Sequence, residues 1–388
     1  MSFRKRSAVL SSAASAQSPA QRVEKQLAPG LRPSPLDGRL TTSTGTASLD
    51  TLLAGHAGLP LGTSLLIEEQ GTTDFSGVIL RYYGAEGLVQ GHQVHVLGFG
   101  DTWRHELPAL AARQEASDIA KSQAPPDEKM KIAWRYESLG NRNAGSLPIR
   151  DKDGAATAIF CHNFDLTKRL APAAIKGSLL ATPASSPLSF RSEAFGNQSP
   201  LRQFLKNVQT KIAGSPPSTI HRVVVPSLLS PTLYPSGICH PTEILQFFHS
   251  LRALLRQYSS QLSAMITFPV SLHPRSNGLT RWMELLCDGV LELIPLPPDN
   301  KAAAPSASSK SATKDADRSQ GLLRVHSLPI YHEKGGGGAE GNHFQDDLSF
   351  SLSSSKGLVI KPYSLPPLED DDNKEKSPAS TVKDGIEF

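Results

Sequence analysis

Cysteine is scarce in this chain. Its three cysteines, Cys161, Cys239 and Cys287, lie far apart and form no C-x-x-C pair, which excludes a disulfide framework and a thiolate zinc motif and leads us to expect a reducing compartment. Aromatic residues are also few, at 6%, and only 38% of residues are hydrophobic while glycine and proline number 30 each. We therefore expect one domain of moderate core with long loops and tails. No apolar run approaches the roughly 18 to 20 residues that a bilayer span needs, so no membrane partner is expected. A strong charge of one sign is missing too. Forty basic residues against 36 acidic ones leave a formal net charge of +4, which permits contact with a polyanion without arguing for one.

The chain opens on a basic, Ser-rich stretch with no acid before Glu24 and no apolar signal segment. We read residues 1–36 as a disordered basic tail rather than a transit peptide. Residues 37–368 carry the folded domain, with low-complexity inserts at about 171–199, 299–320 and 333–345, and an acidic disordered tail fills 369–388.

Within the domain, strand and helix patterns alternate. "TSLLI" reads as a strand, "FSGVILRYYGAEGLVQ" as a helix with Val78, Ile79, Tyr82 and Tyr83 on one face and a stop at Gly87 or Gly91, and "QVHVLGFG" as a second strand. "KIAWRY" reads as a strand, "PLRQFLKNVQTKIA" as a helix, "HRVVVPSLL" as a strand, and residues 240–262 as a long helix with Ile244, Leu245, Phe248, Leu251, Leu255 and Tyr258 at spacings of three and four. "SAMITFPV" and "GVLELIPL" add strands, and "GLLRVHSLPI", "DLSFSLSS" and "GLVIKPY" read as a terminal antiparallel group. Repeated βαβ units mean an α/β fold with a mostly parallel twisted sheet covered by helices on both faces.

The entry segment "STGTASLDTLLAGHAGLPLGTSLLIEE" resembles that of RecA-like ATPases, in which the next loop reads G-x-x-x-x-G-K-[ST]. There glycines admit the phosphates to backbone N–H groups, the lysine neutralises charge and the hydroxyl holds magnesium. Here Glu69 and Asp74 stand at the two glycines, Gly71, Thr72 and Thr73 lie between them, Phe75 replaces the lysine and Ser76 keeps the hydroxyl position. A carboxylate in that nest repels a triphosphate. We expect Asp74 to cap the following helix and Phe75 to pack. Two further positions point the same way. Gly100 stands where such an ATPase carries a water-orienting glutamate, and Pro226 where it carries an aspartate supporting magnesium. Asp101 and Asp165 are the acids near enough to substitute, so an ATPase or recombination accessory protein with an atypical site stays open as the alternative reading.

"FCHNFDLTKRL" and "RVVVPSLLSP", taken in order with "STG…SLD" and the altered loop, resemble the family of fourth subunits of the Elongator complex. That resemblance covers residues 41 to about 366. It implies a non-catalytic subunit without cofactor, forming a hetero-oligomeric ring with the fifth and sixth subunits, binding tRNA, attaching to the catalytic subcomplex and supporting modification of wobble uridine. The loops "SLLSPTLYPSGICHP" and "SLHPRSNGLTR" then correspond to loops such rings use on nucleic acid, with Tyr234 placed to stack on a base and Arg275, Asn277 and Arg281 to meet phosphate. In "FCHNFDLTKRL" the adjacent Cys161 and His162 lack partners at ligand spacing and are not expected to hold a metal. Phe164 and Leu166 are expected to pack and Asp165 to begin a short helix with Lys168 and Arg169 on its exposed side, so that Phe164, Asp165, Lys168 and Arg169 are the candidate contacts with a neighbouring subunit. Cysteine usage and the family favour the cytoplasm, and Arg4-Lys5-Arg6 is compatible with a nuclear fraction.

Overall fold

The computed structural model describes residues 27–53, 57–111, 159–184, 199–297, 319–330, 348–353 and 357–363. The expected strand at 131–136 and most of the tails and inserts fall outside them.

Alternation along the strands sets the layers. In β4 (Ser64–Glu69), Leu66 points to one core cluster while Leu65 and Ile67 point to the other. β9 (His221–Val225) and β10 (Leu262–Pro269) divide in the same way, with Val223, Val225, Ala264 and Ile266 on the first side and Val224 and Met265 on the second. A strand apolar on both faces must be covered on both. Helices α3 (Pro200–Ala213), α4 (Pro241–Gln257) and α5 (Gly278–Leu286) cover the first face. Helix α2 (Phe75–Gln90), the short helix α1 (Ala47–Leu52) and a hairpin of β6 (Pro108–Leu110) and β7 (Phe164–Arg169) cover the second.

The nine-stranded sheet also contains β5 (Gln93–Gly98), β8 (Ser178–Pro183), β11 (Gly289–Pro295), β12 (Gly321–Ser327), β13 (Leu348–Ser353) and β14 (Gly357–Pro362). Its order is β14-β13-β12-β11-β4-β10-β9-β5-β8. From β8 to β11 every pairing is parallel, and β12, β13 and β14 are added antiparallel. This is the mostly parallel, helix-flanked sheet with a terminal antiparallel group that the sequence led us to expect. At the amino end β1 (Leu31–Pro33), β2 (Leu40–Thr42) and β3 (Leu59–Pro60) form a small antiparallel sheet.

Several expectations are corrected. Residues 31–33 lie within the expected tail yet pair with β2, because Arg32 reaches both the Ala57 carbonyl and the Phe160 ring. The supposed low-complexity loop 171–199 contains β8, an edge strand in parallel register with β5. Asp165 does not begin a helix. It lies in β7, where its carboxylate accepts from the Thr167 backbone at 2.9 Å and hydroxyl at 2.6 Å, an Asx turn that suits an extended segment. The loop after Val270 continues into helix α5, which no sequence reading anticipated.

Helix α2 is buried on nearly every side from Ile79 onward rather than along one stripe, since α1 and the hairpin pack over its outer face. It stops at Gly91, whose φ of 90° suits a residue without a side chain and whose N–H reaches back to Gly87 and Leu88.

The "STG…SLD" pattern has an architectural cause. Asp50 accepts from the Ser43 hydroxyl at 2.5 Å and from the Thr44 backbone and hydroxyl at 2.7 and 2.8 Å, closing the turn onto α1. Arg222, fully buried, then fastens that turn to the core: it donates to the Ser43 and Tyr83 carbonyls at 2.9 and 3.0 Å, to the Thr42 hydroxyl at 2.6 Å and to His92 Nδ1 at 3.0 Å. A buried guanidinium is tolerable only when well bonded, and these four bonds engage all three of its nitrogens.

A phosphate cradle filled from within

β4 runs straight into the loop that precedes α2, so the carboxyl end of a central strand faces the amino end of a 16-residue helix. In such folds this is where an anion is held, because unpaired N–H groups and the helix dipole converge there. The anion present is Glu69. Its Oε1 accepts from the Thr73 hydroxyl at 2.7 Å and the Phe75 backbone at 2.9 Å, and its Oε2 from the Ser76 backbone at 3.0 Å and the Ser76 hydroxyl. The residue is 5% exposed. The donors that would cradle a phosphate, and the hydroxyl that would hold magnesium, are spent on a side chain of the same chain.

Asp74 does not cap the helix, contrary to the sequence reading. It occupies the N-cap position, but its carboxylate turns outward to Arg81 at 2.7 Å while Glu69 takes the orphan N–H groups. Gly77 leaves space for that carboxylate; a Cβ there would lie 2.0 Å from Asp74 Oδ1. Gly71, at φ 79°, lets the chain turn between strand and loop, and Thr72 is exposed beside it. Phe75 packs as expected, edge-on against Phe350 with ring centroids 4.9 Å apart.

At the other lost positions, Gly100 precedes a short 3-10 turn, Asp101–Glu106, and nothing lies within 4 Å of where its side chain would be. Pro226 follows β9 and its carbonyl accepts from the Tyr234 hydroxyl at 2.9 Å. Neither supplies a carboxylate. Asp165, engaged with Thr167, has its pKa lowered by those hydrogen bonds.

The residues expected to meet nucleic acid are placed differently from the reading. Tyr234 is 1% exposed, packs in the core and hydrogen-bonds Pro226, so it cannot stack on a base. Asn277 is the N-cap of α5, accepting from the Leu279 backbone at 3.1 Å. Arg275 is bidentate to Glu284 at 2.7 and 2.9 Å, and Arg281 bonds the same carboxylate. Both arginines therefore neutralise a glutamate on α5, which leaves less positive field for a phosphate. Burial works against the Glu284 charge, yet Arg275 holds its pKa low. Beneath it, burial and the Glu284 charge raise the pKa of Glu68.

Around "FCHNFDLTKRL", Phe164 is buried and Leu166 packs beside it. Lys168 is exposed, and Arg169 donates to the His105 carbonyl at 2.6 Å. His162 is bound by Glu86 through both its backbone N–H and Nδ1, each at 3.0 Å, and Cys161 is buried with its thiol pKa pushed up by desolvation. That pair is a structural anchor for the hairpin.

Together, fold and loop define the class: an α/β domain with a mostly parallel sheet, in which the amino end of the helix after a central strand is occupied by the chain's own Glu69 carboxylate. More particularly, the chain belongs to the PAXNEB protein family, whose family model matches residues 24–388. It is 29% identical over 361 residues to Elongator complex protein 4 of Schizosaccharomyces pombe, covering 89% of this chain and 91% of that one. The protein of the same name from Xenopus laevis is 31% identical over 366 residues, covering 87% of this chain and 83% of the relative. The human one is 31% identical over 270 residues, covering 63% and 61%. A solved KaiC-like protein from Pyrococcus horikoshii aligns over 83% of this chain and 99% of its own at 14% identity, with a TM-score of 0.39.

Proposed function

We propose that this chain is a non-hydrolytic RecA-like subunit of the Elongator complex, building a hetero-oligomeric ring with the fifth and sixth subunits. That ring binds tRNA and supports the carboxymethyl-type modification of wobble uridine by the catalytic subcomplex. The observation that carries the reading is the Glu69 carboxylate held by Thr73, Phe75 and Ser76. A RecA-like domain kept intact around a filled cradle has a use other than turning over nucleotide, and assembly is the use that the relatives' names supply. The working compartment is the cytoplasm, with a nuclear fraction.

The test is nucleoside mass spectrometry on total tRNA from cells with and without this chain. Loss of carboxymethyl-type substituents at the wobble position on deletion, and their return on re-expression, is expected. Unchanged levels would overturn the reading.

A second reading concerns how the ring meets tRNA. Tyr234 is buried and Arg275, Asn277 and Arg281 are all engaged within the chain, which favours a scaffold role in which these four side chains do not touch tRNA. Arg281→Ala in the assembled ring should then leave tRNA affinity and its salt slope unchanged, whereas a phosphate contact would lower the slope by about one.

A further inference from the structure

On the sheet face beneath α5, the parallel register sets Glu68 of β4 beside Glu292 of β11, and the antiparallel register sets Glu292 beside Arg324 of β12. His326, two residues further along β12, reaches Glu292 Oε2 with Nε2 at 2.8 Å. Glu68 is 0% exposed, and neither of its oxygens accepts from a nitrogen or hydroxyl donor; its side-chain hydrogen bond is with the Glu284 carboxyl, which requires a proton on one of the two. The cations nearby are committed to other carboxylates. Arg275 gives its short bonds to Glu284 and comes no nearer to Glu68 than 3.6 Å, Arg281 also serves Glu284, and Arg324 lies 3.4 Å from Glu292. Gln70 donates to Glu292 Oε1 at 2.5 Å.

As a carboxylate Glu68 would be buried with no donor, which is costly, and a cation in direct contact is the partner its surroundings leave unprovided. One ligand atom each from Glu68, Glu292 and His326 lie within 4.8 Å of one another. Donors so spaced can converge on an ion with bonds of about 2.0 to 2.2 Å after small rotamer shifts. Two carboxylates and an imidazole suit a borderline transition ion better than calcium or magnesium, which take oxygen donors. We propose that Glu68, Glu292 and His326 form a structural site for a divalent transition-metal ion of the zinc or manganese type. The ion would tie the added strand β12 to the parallel strands β4 and β11. Binding needs an unprotonated Nε2 on His326, which gives up its hydrogen bond to Glu292, and releases the proton that Glu68 shares with Glu284. Arg324 and Arg275, both partly exposed, withdraw toward solvent. This inference stands independently of the Elongator reading.

The test uses the full chain, stripped with a chelator and titrated with zinc by calorimetry, and separately with cobalt followed by visible absorption. One equivalent should bind and raise the melting temperature, and the cobalt spectrum should lack thiolate charge-transfer bands, which separates this site from the cysteines. Glu68→Gln and His326→Asn should each weaken zinc binding at least about tenfold, with circular dichroism confirming that the variants fold. Unaltered binding by both folded variants would overturn the proposal. So would the absence of one-equivalent binding, or thiolate bands in the unmodified chain, and these two results need no variant.

Discussion

At the scale of single residues, most polar side chains singled out by the sequence pattern are engaged by partners in the same chain. Glu69 is the central case. Glu69→Ala removes the acceptor for two backbone N–H groups and two hydroxyls at a buried helix start. A loss of about 1 to 3 kcal/mol is expected, read as a lower midpoint in urea unfolding. Glu69→Gln keeps one carbonyl acceptor and should lose less. Neither variant should bind ATP by calorimetry, because Asp74 and Phe75 still stand at the entrance. Tyr234→Phe removes only the bond to the Pro226 carbonyl and should cost about 1 kcal/mol. Tyr234→Ala empties a core position and should cost about 3 to 5 kcal/mol by analogy with other aromatic truncations. Both are measurable by thermal unfolding.

At the scale of elements, legibility followed locality. Helix α3 was readable to its ends because proline opens it and Leu201, Phe204, Leu205, Val208 and Ile212 repeat at helical spacing. Parallel strands such as β9 were readable as continuous apolar runs. Helix α5 was missed because its approach, Pro-Arg-Ser-Asn, looks like a nucleic-acid loop. Its signal was present all the same: Asn277 as a cap before Leu279, Met283 and Leu286. β7 was misread because Asp165 was taken for a cap, although Phe164 and Leu166 share one side as alternate strand residues do. The filled cradle was half legible. Its lack of glycine and lysine is plain in the sequence, but the true cap lies six and seven positions before the N–H groups it accepts from, beyond any local capping pattern. The Glu68, Glu292 and His326 cluster could not be seen at all, since three separate strands contribute to it. Arg222 ties the N-terminal sheet to the core at Thr42 and Ser43, so Arg222→Met should loosen β1–β3 before the main sheet unfolds. Hydrogen exchange at residues 31–46 would show protection falling there first.

For the whole molecule, acid is the expected weakness. His92 and His95 are held neutral with pKa values lowered to about 3, and His221 to about 4, mainly because burial disfavours their charged forms. Between those values and the ordinary 6.5 the unfolded chain binds more protons than the folded one. The stability that depends on these imidazoles is therefore fully present above pH 6.5 and is lost as pH falls toward 4, with each imidazole contributing a slope of up to about 1.4 kcal/mol per pH unit. Asp50, raised to about 6 by burial against its hydrogen bonds from Ser43 and Thr44, works in the opposite sense between pH 3.8 and 6. Glu68, raised to about 8 by burial and the Glu284 charge, also works in that sense from 4.5 upward, so two carboxyls oppose three imidazoles. Denaturation midpoints across pH 4 to 6 should rise with pH, and His95→Gln should flatten the dependence.

The carboxylate at the start of α2 also fixes how this domain behaves in time. A RecA-like domain that gains and loses phosphate works as a clock, its surfaces alternating with each cycle of loading and release. Here the weight is soldered to the pendulum: the charge sits on a covalent arm and never departs. In the ring proposed above, neighbours resting on this end of the sheet would meet that fixed carboxylate in place of an exchanging phosphate, and any nucleotide-driven rhythm would be set by another component.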